Sequence, residues 1–141
     1  MTPGKTTADS LRAFLAERGH ADLADKLIEA RNNGRLAPTI RRQGLADLHW
    51  DIAARMPGPE VGQRIVLRAG EVWVRQGPLR SDLLMVVSAV TWTPSHSNPG
   101  WSVTGEAFSP DGAGTFRLRR GVKTYYVTAY PGDAWMPALN H

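Results

Sequence analysis

One break constrains this chain more than any other feature: at Met56-Pro57-Gly58-Pro59 the spacing of apolar residues changes from helical to alternating. Two prolines around a glycine cannot continue a helix, because each proline lacks an amide donor and clashes with the preceding turn. Upstream, apolar residues recur every three or four positions; downstream they recur every second position between turn residues. That order predicts an α+β chain with its helices first and its strands second. A length of 141 residues leaves room for one ordinary domain, or for a helical piece attached to a small β domain.

Upstream of the break, Leu11, Phe14 and Leu15 predict a helix over 7–18, with Thr7 and Asp9 as caps and Gly19 as a stop. Leu23, Leu27 and Ile28 predict a second helix over 21–31, packed on the first and ending at Asn32-Asn33-Gly34. Thr39 is placed to cap a third, whose Leu45, Leu48 and Ile52 share a face although Gly44 weakens its middle. Helices of about three turns are marginal alone. Residues 1–57 are therefore expected to be a helical front that is not independently stable and packs on the strands beyond the break.

Downstream, strands are expected at 64–68, 71–75, 83–93, 101–109, 115–120 and 123–130. Residues 61–130 would then form an antiparallel five- or six-stranded meander or a small SH3-like barrel. The tail, 131–141, carries Trp135 and Met136 and is expected to be anchored by Trp135. No internal repeat stands out.

Composition removes several functions. Without cysteine there is no disulfide, iron–sulfur cluster, thiolate metal site or cysteine nucleophile. The longest uninterrupted apolar run, Leu83 to Val87, is far short of the about 20 residues that cross a bilayer, so no membrane partner is expected. The first residues hold no apolar core of a secretory signal; the expected location is the cytoplasm, or a virion or mobile element. His20, His49, His96 and His141 lack ligand spacing, so no metal is expected. Neither a nucleophile elbow nor a phosphate-cradling glycine loop is present, so no catalytic residue and no cofactor is assigned.

Charge carries the remaining signal. The net charge is +4, and residues 61–141 hold eight basic against five acidic groups. If Ala69-Gly70 is a two-residue turn, Ile65, Leu67, Val72 and Val74 line one apolar face, and Arg64, Val66, Arg68, Glu71, Trp73 and Arg75 share the other. A second tight turn at Gly121 would send Phe116, Leu118, Tyr125 and Val127 inward and Arg117, Arg119, Tyr126 and Tyr130 outward. Cations interleaved with aromatic rings suit single-stranded nucleic acid, whose phosphates seek charge and whose bases seek flat faces. The same aromatics can equally serve packing between strands.

Gly70-Glu71-Val72-Trp73, followed by Leu84-Met85-Val86-Val87-Ser88, resembles the opening strands of the MazF/PemK toxins, SH3-like ribonucleases that cut single-stranded RNA. The resemblance implies a barrel. No arginine-proline pair precedes Leu84 and no downstream proline-x-threonine element is evident, so it lends no catalytic residue.

The leading expectation is a non-enzymatic binding protein whose basic-aromatic β surface contacts nucleic acid or an acidic protein surface. A structural protein acting through protein contacts, with itself or others, is the first alternative. A MazF-like endoribonuclease is the second.

Overall fold

A computed structural model describes residues 8–74, 77–93, 100–129 and 133–138. Four short helices come first: α1 (Ala8–Ala16), α2 (Ala24–Asn32), α3 (Leu36–Arg42) and α4 (His49–Arg55). Seven strands come after them: β1 (Arg64–Leu67), β2 (Trp73–Val74), β3 (Gly77–Pro78), β4 (Leu83–Thr93), β5 (Gly100–Pro110), β6 (Phe116–Thr128) and β7 (Trp135–Pro137). The α+β order holds. Among the described residues no helix is long and apolar enough to cross a membrane.

The third expected helix is two helices. Gly44 adopts φ +72°, and the Gly44 and Leu45 amides donate back to Arg41 and Ile40 at 3.1 and 3.0 Å, closing α3 with a Schellman turn. Thr39 lies buried inside α3 instead of capping it. The first-turn amides of α3 are satisfied from far away: Leu36 donates to Asp133 Oδ1 at 2.6 Å and Ala37 to Oδ2 at 3.2 Å. Pro38 is tolerated because it stands in that first turn, where no intrahelical donor is needed.

The helices also contain a repeat that the sequence conceals, at an offset of 25 residues. Gly19, His20 and Leu23 donate to Ala16, Leu15 and His20; Gly44, Leu45 and Leu48 donate to Arg41, Ile40 and Leu45. In each half a helix ends at glycine, an Ala-Asp-Leu 3-10 turn comes next, and a second helix begins. Core positions recur with it, Leu11 with Leu36, Phe14 with Thr39, Leu15 with Ile40, and Leu27 with Ile52. Their apolar members, with Leu45 and Met56, form a core within the helical front. One position breaks the rule: the equivalent of buried Met56 is Arg31, itself only 5% exposed.

The main sheet is antiparallel and five-stranded, in the order β6-β5-β4-β1-β7. Both edges of β1 are occupied, by β4 and β7, so β1 cannot pair with β2 as the two-residue turn at Ala69-Gly70 required. β2 pairs with β3 in a separate ribbon. Arg64 and Arg68 therefore do not share a hairpin with Trp73 as expected, and Arg75, also expected there, lies outside the described residues. The second expected hairpin is wrong as well. β6 runs unbroken through Gly121, because β5 is long enough to pair with both of its halves. Gly121, at φ +82°, sits in a bulge that leaves Arg120 without a cross-strand partner between Arg119 and Gly121. With β6 and β7 as free edges, no closed barrel is present among the described residues.

The β core gathers on one face of this sheet, where Ile65, Met85 and Ala107 stand in a row across β1, β4 and β5, with Leu67, Val87, Val103 and Val127 nearby. Trp135 is buried in this core, and its strand lies alongside β1. Helices and sheet meet through a polar seam. The Arg31 guanidinium lies over the Trp135 ring at 4.3 Å and donates to the Pro57 carbonyl, while Arg68 Nη1 donates to the carbonyls of Gly34 and Asp133 at 2.7 and 3.0 Å.

Candidate functional site

Sequence order brings the chain back across the core face after β1. The ribbon of β2 and β3 crosses there and approaches β6, while Leu79 packs against the core and donates its amide to Val72 at 2.7 Å. Between this ribbon and β6 lies a cleft of about 600 Å³. Its apolar lining comes from Val74, Leu79 and Leu83, continuous with the core below. Tyr125 also lines it, half-buried, because alternation along β6 from Gly121 puts Lys123 and Tyr125 on the core face.

Arg80, Arg119, Arg120 and Lys123 contribute four cations to the cleft, and no carboxylate lines it among the described residues. Arg119 pairs with Glu106. Arg80, Arg120 and Lys123 have no ion pair to another described residue, and all three are exposed. The bulge sets Arg120 apart: it is the extra residue, unpaired between Arg119 opposite Phe108 and Gly121 opposite Ala107. Ser81 and Ser109 add hydroxyls that can donate or accept.

The residues picked from sequence are dispersed by this topology. Arg64 is exposed on β1, opposite Val86, on the face away from the cleft. Arg68 is spent on the seam with Gly34 and Asp133. Trp73 is 67% exposed on β2, next to the cleft residue Val74. Arg117 stands 3.9 Å from Asp111, and Arg119 lines the cleft. Tyr126 is half-buried on the face opposite Tyr125, beside Ser102. Arg75 and Tyr130 lie outside the described residues.

Sequence reasoning thus missed Arg80, Arg120, Lys123 and the cleft side of Tyr125. Their clustering depends on the ribbon folding back over the sheet and on the bulge, and no local pattern announces either. A smaller hollow of about 220 Å³, between α3 and α4, is lined by Ala37, Ile40, Arg41, Ala46 and His49. Among the described residues no group of histidine and acidic side chains could hold a metal ion.

Two ionisable groups at the seam are displaced by burial. Arg31 is pulled down to about 10 by loss of hydration. Desolvation raises the carboxyl of Asp133, and the amides of Leu36 and Ala37 and the charge of Arg68 offset this only in part. Both serve architecture and stand apart from the cleft.

Compared with protein-family models, curated proteins and solved structures, the chain matches none.

Proposed function

We propose that the chain is a non-enzymatic binding protein for single-stranded nucleic acid, and that the strand lies in the cleft between the β2–β3 ribbon and β6. One observation carries this reading: three exposed cations without an ion pair to another described residue surround a cleft that no described carboxylate lines, with Tyr125 inside it and exposed Trp73 beside it. Uncompensated cations attract phosphate, and the aromatic faces offer stacking that does not depend on sequence.

Fluorescence anisotropy with a labelled oligothymidylate tests it. At roughly 0.7 per phosphate contact on a single strand, three contacts give a slope of log affinity against log salt near −2. Arg120→Gln and Lys123→Gln should each flatten that slope by roughly 0.7. Trp73→Ala should cost about 1–3 kcal/mol with the slope unchanged. Absence of binding at about 50 mM salt, where the electrostatic attraction is strong, would end this reading.

A second reading, assembly through β6, rests on a separate observation. Among the described residues β6 is a free sheet edge on which Val122 is 71% and Leu118 51% exposed, and open apolar edges invite strand pairing between copies. Light scattering on the full chain separates the two, since only assembly makes the mass rise with protein concentration.

A further inference from the structure

The cleft has more than a phosphate track requires. A surface that only neutralises a backbone needs cations, whereas this one also has an apolar wall of Val74, Leu79 and Leu83 with the Tyr125 side chain beside it. We infer, resting on the single-strand reading above, that the cleft is a subsite for one nucleotide turned out of the strand, its base on the apolar wall and Tyr125 and its phosphate held by Arg80, Arg120 and Lys123.

Size, chemistry and position agree with that occupant. A volume of about 600 Å³ falls within the range of roughly 300–1,000 Å³ typical of small-molecule sites. Within a strand a nucleotide joins a ring with flat stacking faces and a polar edge to a monoanionic phosphodiester, and the cleft joins an apolar, aromatic wall to a cluster of cations. A run of carboxylates alone would satisfy the cations and leave the wall empty. A duplex keeps its base faces stacked inside and presents only phosphates, sugars and base edges, so it too leaves the wall unused. Ser81 and Ser109 can each donate or accept, which gives the base edge hydrogen bonds without choosing one base over another. Binding should therefore depend on having a base and only weakly on which base.

The test compares, on the full-length protein, an oligothymidylate with an abasic strand of equal length and charge, and with an abasic strand carrying a single thymine. One stacked base is worth about 1–3 kcal/mol, or roughly 5- to 150-fold. The abasic strand should bind at least about 5-fold more weakly, and the single thymine should restore most of that loss. In Tyr125→Leu, which keeps apolar bulk and is checked for folding by its thermal melt, the gap between single-thymine and abasic strands should narrow. Leu79→Ser, at a half-buried wall position, serves as a second variant with the same expected outcome. Equal binding of base-bearing and abasic strands, still weakened by Arg120→Gln, would overturn the nucleotide subsite while leaving phosphate binding in place. An unchanged gap in both folded wall variants would also overturn it, because the base would then lie elsewhere. Failure of the wild-type protein to bind any of the strands would remove both readings.

Discussion

Replacing Arg31 by methionine, the residue at the equivalent position of the second helical repeat, should cost little stability, whereas Arg31→Ala should cost much more. Burial pulls this guanidinium to about 10 from the ordinary arginine range; at about 1.4 kcal/mol per pKa unit, that is roughly 3 kcal/mol of lost hydration. Against it stand a charge-assisted bond to the Pro57 carbonyl, worth about 1.5–3 kcal/mol, and the contact with Trp135, worth about 0.5–2 kcal/mol. The terms nearly cancel, as they often do for buried charges. Methionine keeps an apolar stem over the indole and removes the buried charge, so Arg31→Met should lie within about 1 kcal/mol of the wild type. Alanine loses the same bond to the Pro57 carbonyl and, unlike methionine, also leaves a void beside Trp135, which should cost about 2–5 kcal/mol more. Urea denaturation followed by tryptophan fluorescence measures both, provided the denaturant slopes agree. Equal destabilisation by methionine and alanine would refute the reasoning, since the charge itself would then be what holds the seam.

Gly34→Ala should lose about 1 kcal/mol or more in the same assay, because φ is +71° there and a Cβ would lie 2.7 Å from the Arg68 guanidinium; a neutral result would mean that Arg68 swings away freely. Asp133 makes a pH prediction. Its folded carboxyl titrates above the ordinary value of 3.8, so the folded chain holds that proton more tightly than the unfolded one. Its contribution to stability therefore grows as pH falls through the raised value and is complete below 3.8. The unfolding free energy of the wild type minus that of Asp133→Asn should accordingly rise on acidification and be flat at neutral pH; a fall would reverse the assigned cause. Residues 1–57 alone lack Asp133 and Trp135, the partners of α3 and Arg31, and should melt without cooperativity by circular dichroism, whereas a sharp transition would make the helical front a domain of its own.

The class of the fold is legible in the sequence because it rests on local periodicity: Leu11, Phe14 and Leu15 can share a face only in a helix, and Met56-Pro57-Gly58-Pro59 can only end one. Pairing is not legible, because it rests on competition between distant segments. Nothing near Arg64 says that β4 and β7 will occupy both edges of β1, yet that decides where Arg68 and Trp73 go. Gly121 suggests a turn by its conformational freedom, and a bulge uses the same freedom; only the length of β5 distinguishes them. The repeat stays hidden because identity is confined to Leu11/Leu36, Gly19/Gly44 and the two Ala-Asp-Leu triplets, while the equivalence lies in backbone hydrogen bonds. Of the candidate site, basic and aromatic composition is visible in the sequence. Which cations go without an acidic partner is not, since Glu106 reaches Arg119 only across the β5–β6 pairing.

The most direct measurement is a map of backbone amide shifts by NMR as unlabelled oligothymidylate is added to the isotope-labelled full-length chain at low salt. The account predicts that the largest changes fall on Arg80, Ser81, Arg120, Lys123 and Tyr125, with Trp73 and its indole affected beside them. Changes concentrated on Arg41 and Arg42 of α3, on the far face around Val86 and Val122, or nowhere at all, would contradict it.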